Sequence, residues 1–537
     1  MRRLRALLLF VCLAVLIAAW PAPPASAGGA AASPTAAHTT TDHSKLPALQ
    51  GPFDTGMEVT KACLSCHTEA GKQVMQTTHW RWRYSPGANG QEEEPSRAVL
   101  GKQKVLNAFC VSPITNWKAC TVCHIGYGWK DPAVAEVGED RVDCLVCHEQ
   151  TGTYKKYSYG YGELRAGERI IRKPDYGSIA RSVGAPGRRN CGVCHFYGGA
   201  HDGAKHGDLD SSLFLPDRNL DVHMDAKGLN FRCVTCHDAQ GHGVSGSRYR
   251  MKAVNHFGIN IPGHSTETHT SCESCHGESP HREIAKLNKH VQRIACQTCH
   301  IPRMARGGNK TMTYWDWSTA GRLGEQGRPV PEEKDKAGYP TYVSEHGTMR
   351  WERNVIPEYH WFNGVINYLD PSKPIDPDGV VAVNRILGGP DNGQSRIWPF
   401  KVMHGRLPYD PVNRTMVVFH SNPVDSADKD AFYKSFDWPR AIAAGMKEVG
   451  PFSGQHAFVD VTMYFPITHM VAPKEQALGC NDCHRPGGRL DALTGFYLPG
   501  RDTFPLVQRV GWGMVWLALL GALLHGLVRV VMFWRRR

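Results

Sequence analysis

Hydrophobic positions in this chain gather into two long runs, one near each end, around a body with no sustained periodicity. The first run, Leu7 to Trp20, follows Arg2, Arg3 and Arg5 and precedes Ala25-Ser-Ala27. A basic start, an apolar stretch and a small-residue cleavage site mark residues 1–27 as a secretory signal peptide. An uncleaved N-terminal anchor is the other reading, and either one exports the body. The second run, Val510 to Val528, is apolar for 19 residues apart from His525. That length crosses a bilayer core as a helix, and the run is apolar on all sides, unlike an amphipathic core helix. Arg529 and Arg535-Arg536-Arg537 follow it. They predict a transmembrane helix over 509–534 with a cytoplasmic C-terminus. His525 sits near the charged end, where it packs against a partner helix or ligates a partner's cofactor.

Between the runs, residues 28–50 are rich in Ala, Ser, Thr and Pro and read as a flexible linker. The body, 51–505, holds most of the 55 Gly and 35 Pro. It reads as short helices separated by long loops, with irregular stretches such as 151–167. The predicted fold class is therefore mainly α with extensive irregular loops. Residues 301–479 stand apart through Tyr314-Trp-Asp-Trp317, Trp361-Phe-Asn-Gly364 and Pro408-Tyr-Asp410. Their aromatics either wrap the cofactor stack described next or shape a substrate funnel, and wrapping is the simpler reading.

One pentapeptide, Cys-x-x-Cys-His, organises the body. It begins at Cys63, Cys120, Cys144, Cys191, Cys233, Cys272, Cys296 and Cys480. The second cysteines are Cys66, Cys123, Cys147, Cys194, Cys236, Cys275, Cys299 and Cys483. The histidines are His67, His124, His148, His195, His237, His276, His300 and His484. Two thiols at this spacing add across the vinyl groups of one porphyrin, and the histidine becomes the proximal iron ligand. The motifs take sixteen of eighteen cysteines. A disulfide framework suits an exported chain but leaves the histidine unexplained. The cofactors are thus eight covalently bound haem c groups, whose apolar faces replace part of an ordinary core. Cys120 and Cys144, like Cys272 and Cys296, are only 24 positions apart, so neighbouring porphyrins lie close enough for electron transfer. The formal charge of +12 balances the propionates, about two per haem, and gives no support for nucleic-acid binding.

Nineteen histidines remain for the far side of the irons. His79, His206, His223, His242, His281, His290 and His469 are the candidate distal ligands. His256, His264, His269, His404, His420 and His456 compete with them. If two imidazoles close every iron, the chain is a conduit; an enzyme needs one open or labile position. The informative stretch is His201-Asp-Gly-Ala-Lys205-His206-Gly-Asp208. A lysine ligates iron only as the neutral amine, and Asp202 lies three residues before Lys205. The alternative is a solvated polar loop. Cys110 is the one cysteine after the leader outside a motif. It is either a small buried thiol or a reactive group near the haem of Cys120.

Over residues 55–490 the chain resembles the octahaem c-type cytochromes of the tetrathionate reductase family. The likeness rests on eight motifs laid out as seven, a gap and one. It rests also on Cys120-Thr-Val-Cys-His-Ile-Gly-Tyr-Gly-Trp129, Asp143-Cys-Leu-Val-Cys-His148 and Cys191-Gly-Val-Cys-His-Phe196. Further strings are Gly203-Ala-Lys-His-Gly-Asp-Leu209, Ala295-Cys-Gln-Thr-Cys-His-Ile-Pro302 and Tyr314-Trp-Asp-Trp-Ser-Thr-Ala-Gly321. The resemblance implies that the haem of Cys120, Cys123 and His124 is catalytic, with Lys205 as its distal ligand and Asp202 and Cys110 beside it. It implies a reductase of tetrathionate, and of nitrite or hydroxylamine. Two related patterns, Cys-x-x-Cys-Lys and the long-spaced Cys-x15-Cys-His, are absent from this sequence. The apolar C-terminal run departs from a purely soluble form.

The expectation is a membrane-anchored reductase on the periplasmic face of the bacterial inner membrane. It takes electrons from a membrane quinol dehydrogenase or cytochrome and acts on a small anionic sulfur or nitrogen substrate. The alternative is a non-catalytic conduit between a membrane quinol oxidiser and a periplasmic partner.

Overall fold

A computed structural model describes residues 41–81, 106, 112–131, 138–199, 201–246, 271–393 and 395–537. The signal peptide, most of the linker, Cys110, His256, His264 and His269 lie outside these residues.

Up to His300 the described chain is built from short helices, as its pattern predicts, plus one hairpin of β1 (Leu164–Ala166) and β2 (Arg169–Arg172). The attachment motifs sit on or against these helices. Gly56–Leu64, Leu145–His148, Arg188–His195, Cys233–Cys236, Glu273–His276 and Cys296–His300 each carry part or all of one, and Cys480–Cys483 carries the last. A turn of α-helix puts positions i, i+3 and i+4 on one side, so both cysteines and the histidine face the same space. The closing bonds have that form: the amides of His67, His148, His237, His276 and His484 donate to Cys63, Cys144, Cys233, Cys272 and Cys480 at 2.8–3.1 Å. The second motif is wound more tightly. Its Thr121–Cys123 turn is 3-10, and the His124 amide donates to Thr121, three residues back, at 3.0 Å.

After Ile301 the architecture changes, and the mainly α expectation is corrected. The strands are β3 (Thr311–Asp316), β4 (Glu333–Lys334), β5 (Pro340–Val343), β6 (Gly347–Glu352) and β7 (Glu358–Phe362). They continue with β8 (Ile366–Tyr368), β9 (Val381–Ala382), β10 (Asn384–Ile386), β11 (Arg396–Asp410), β12 (Thr415–Met416) and β13 (Ala457–Pro466). Nine of them form one mixed sheet in the order β4-β5-β6-β3-β11-β13-β9, with β7 and β12 also pairing with β11. The protein is a mixed helix and sheet structure. Strand β11 is its axis: antiparallel to β13 from Phe400–Pro466 to Tyr409–Ala457, and parallel to β3 at His404–Tyr314. The aromatics of this region are chiefly the sheet's own core, with Trp315, Trp317, Phe362, Trp398, Phe400 and Phe465 buried together.

β11 also ties the sheet to the helical part through two buried cations. Arg396 donates to Glu273 of the sixth motif at 2.8 Å. Lys401 donates to the carbonyls of Ala204 and Lys205. At the C-terminus, Pro505–Arg535 forms one exposed helix, long and apolar enough to cross a membrane.

Candidate functional site

A metal held about 2 Å from one nitrogen of each of two imidazoles sets their ring centres about 6 Å apart. Among the described residues, seven of the motif histidines meet that condition with a second histidine. The pairs are His67 with His43 at 6.3 Å, His148 with His242 at 6.4 Å and His195 with His79 at 6.1 Å. They continue with His237–His469 at 6.1 Å, His276–His223 at 6.0 Å, His300–His281 at 6.2 Å and His484–His290 at 6.1 Å. These residues fit iron between two imidazoles.

Backbone and side-chain acceptors orient the rings. Nδ1 of His148 lies 3.0 Å from the Gly184 carbonyl, that of His237 3.0 Å from Ser245, and that of His484 2.9 Å from Pro499. On the distal side, Nδ1 of His242 meets Gln73 at 2.8 Å, that of His281 meets Asn288 at 3.2 Å, and that of His469 meets the Asp208 carboxylate at 3.1 Å. With Nδ1 donating, Nε2 keeps its lone pair for a metal.

Six of the candidate distal histidines therefore stand opposite motif rings. His206 lies against Phe465, ring centres 5.4 Å apart. The seventh partner, His43, lies in the stretch read as linker, where no spacing rule singles it out. It sits on the short turn His43–Lys45, capped by Asp42. Of the competitors, His404 lies near Glu358, His456 packs near Trp438, and His420 bonds Asp428 at 2.7 Å.

The cysteines give the order of the sites. Cys63 meets Cys144, Cys123 meets Cys194, Cys191 meets Cys233, and Cys272 meets Cys296. Those neighbours first, and burial second, push the Cys144, Cys191, Cys194 and Cys272 thiols up; that titration ends once each sulfur is a thioether. Cys147 lies near Cys191 and Cys194, Cys236 near Cys275, and Cys299 near Cys483. Numbered by motif, the sites run 1-3-4-5-6-7-8, with site 2 beside site 4. His79 makes that junction twice, since its ring faces His195 while its carbonyl lies 3.3 Å from Nδ1 of His124.

The second site differs from the others. The His124 ring lies 6.5 Å from the Trp129 indole, edge-on. Behind it, the Lys156 ammonium donates to the His124 carbonyl at 2.5 Å and to Asp143 at 2.8 Å. Asp143 also accepts from the Tyr127 and Tyr154 hydroxyls at 2.8 and 2.9 Å and from the Val146 amide at 3.1 Å. Burial first, and the Asp143 charge second, push both tyrosines well above their ordinary pKa. The proximal turn is thus held from behind by a closed polar network.

Lys205 is buried, on the segment following the fourth motif. Gly203 there has φ +65°, and an added Cβ would sit 3.0 Å from the Lys310 carbonyl, so glycine is required at this turn. Asp202 is turned toward the far end of the segment, accepting from the Ser211 amide at 2.9 Å and hydroxyl at 2.5 Å and from Asn309 at 3.2 Å. Lys401, fully buried, has its pKa drawn down to about 7 by burial, against the pull of Asp208. Sequence reasoning did not single out Lys401, Thr311, Lys156 or Asp143 for a role.

The bacterial cytochrome c family model matches residues 312–487. The crystal structure of octaheme cytochrome c from Shewanella oneidensis superposes with a TM-score of 0.71 at 39% identity, covering 83% of this chain and 94% of that one. A search of curated proteins gives no match.

Proposed function

The chain belongs to the octahaem c-type cytochromes, and from that premise we propose that it is a membrane-anchored reductase of small sulfur or nitrogen anions, acting at the His124 site. It binds haem c covalently and serves electron transfer; the catalytic assignment is our reading. The observation that carries it is the setting of His124: its turn is wound 3-10, its ring lies edge-on to Trp129 with Nδ1 3.3 Å from the His79 carbonyl, and the buried Lys156–Asp143 pair braces it from behind.

Bound at these residues, haem c supplies one-electron carriers and, where two imidazoles do not close the iron, a metal position for a substrate. The chain's own groups do the rest. Lys205, carried on a buried segment, would hold the iron as its neutral amine. Lys156 and Asp143 hold the His124 turn. The succession of paired histidines from His43–His67 to His290–His484, with His79 joining His195 to His124, marks the route electrons take. Tetrathionate takes two electrons and gives two thiosulfates; nitrite takes six, with protons, and gives ammonium. Lys205 is the group proposed to hold or move protons at the substrate. The helix Pro505–Arg535 anchors the body to the periplasmic face of the inner membrane, within reach of a quinol-oxidising donor. Seven paired sites and an anchor also suit a pure conduit, which is the second reading.

Lys205→Ala separates the two. The reductase reading expects the substitution to alter the spectrum of one haem in eight and to lower tetrathionate or nitrite turnover. An unchanged spectrum and unchanged turnover would remove Lys205 from the site.

A further inference from the structure

A buried lysine spends its whole hydrogen-bonding capacity on the segment that carries Lys205. The Lys401 ammonium donates to the Ala204 carbonyl at 2.6 Å, to the Lys205 carbonyl at 3.2 Å and to the Thr311 hydroxyl at 2.6 Å. The Thr311 hydroxyl in turn donates to the Gly203 carbonyl at 2.7 Å. Two side chains from the adjacent strands β11 and β3 thereby hold three consecutive carbonyls, those of residues 203, 204 and 205. Both side chains are buried. An ammonium has three protons and no lone pair, so this set leaves Lys401 no capacity for another partner.

We propose that Lys401 and Thr311 are positioning residues for the His124 site, which fix the backbone of residues 203–205 and thereby hold the Lys205 amine in ligating position. The inference rests on the reading of Lys205 as distal ligand and adds what sets its reach. The segment is secured independently on both sides of the clamp. The Gly203 amide donates to Phe196 at 2.9 Å, and the Ala305 amide donates to Gly207 at 2.6 Å. Asp208 accepts from the Thr468 and His469 amides at 2.7 and 2.9 Å while orienting the His469 ring. Releasing the clamp therefore moves Lys205 while the neighbouring His237–His469 pair keeps its own restraint. A lysine at position 401 with no role beyond packing would leave ligation at the His124 site untouched when its bonds are removed.

The test uses the full-length, haem-loaded protein and four substitutions, Lys205→Ala, Lys401→Met, Thr311→Val and Thr311→Ser. Electron paramagnetic resonance and near-infrared magnetic circular dichroism read the signal lost in Lys205→Ala, and a cyanide titration reads access to the same iron. Thr311→Val and Lys401→Met are expected to weaken that signal. They should also raise apparent cyanide affinity by about tenfold or more, because the closed, lysine-ligated state no longer competes. Thr311→Ser, which keeps the hydroxyl, should restore the parent signal, and the seven bis-imidazole signals should stay. If Lys401→Met does not fold, the valine and serine variants at Thr311 decide the matter alone. Parent signal and cyanide affinity in Thr311→Val overturn the clamp. No spectral change in Lys205→Ala overturns both the ligand reading and the clamp resting on it, whereas a change in Lys205→Ala alone overturns only the clamp.

Discussion

Replacing Asp143 by asparagine tests whether the network behind His124 holds the second attachment turn. Asp143 and Lys156 form an ion pair at 2.8 Å with side chains 0% and 5% exposed. The substitution keeps the shape but removes the charge facing a buried ammonium. It also puts an amide donor where the carboxylate now accepts two hydroxyls, an ammonium and a backbone amide. Breaking a buried pair by removing one partner costs about 3–5 kcal/mol. Local hydrogen exchange suits the measurement, because large cofactor-bearing proteins often unfold irreversibly. The reporters are the amides of Tyr127 and Asp143, which bond Arg141 and Ile125 at 2.9 and 3.1 Å. A loss of about 3 kcal/mol corresponds to exchange faster by about two orders of magnitude. Glu69→Gln is the control, since the Glu69–Lys72 pair is solvent-exposed and such pairs contribute about 0–1 kcal/mol. Acceleration of less than about tenfold in Asp143→Asn, or no more than the control gives in its own segment, would refute the reasoning.

His43→Ala should remove one bis-imidazole signal of the haem-loaded protein and leave the others, checked by electron paramagnetic resonance; an unchanged spectrum would mean that the His43–His67 pair holds no iron. His346, ringed by Trp315, Trp317 and Tyr433, has its pKa pushed down to about 4 by burial. The unfolded chain protonates it near 6.5, so stability is full above that pH, declines as pH falls toward 4, and is flat below. The decline is at most about 3 kcal/mol. Unfolding midpoints measured from pH 7 to pH 4 should fall less steeply in His346→Gln than in the parent, and parallel curves would contradict this.

The attachment sites were legible because covalent chemistry fixes their spacing: both cysteines and the histidine must lie on one turn. Distal histidines obey no such rule. His290 lies six residues before the seventh motif yet serves the eighth, and His43 waits in a polar stretch before the first. The sheet was hidden for another reason. The first eight residues of β11 are all buried, and a strand covered on both faces loses the alternation that marks a strand. Trp315 and Trp317 therefore looked like wrapping for cofactors when they are largely core of the sheet. Lys401 was out of reach because its partners lie 90–197 positions away in the chain, whereas Asp143 has partners within 16 positions but no periodic pattern that marks them.

The most direct test is a low-temperature electron paramagnetic resonance and visible spectrum of the haem-loaded protein, with and without nitrite or cyanide. The account predicts seven bis-imidazole haems that ignore the added ligand and one, lost in Lys205→Ala, that responds. Eight unresponsive bis-imidazole haems would contradict it and leave the chain a conduit between two redox partners.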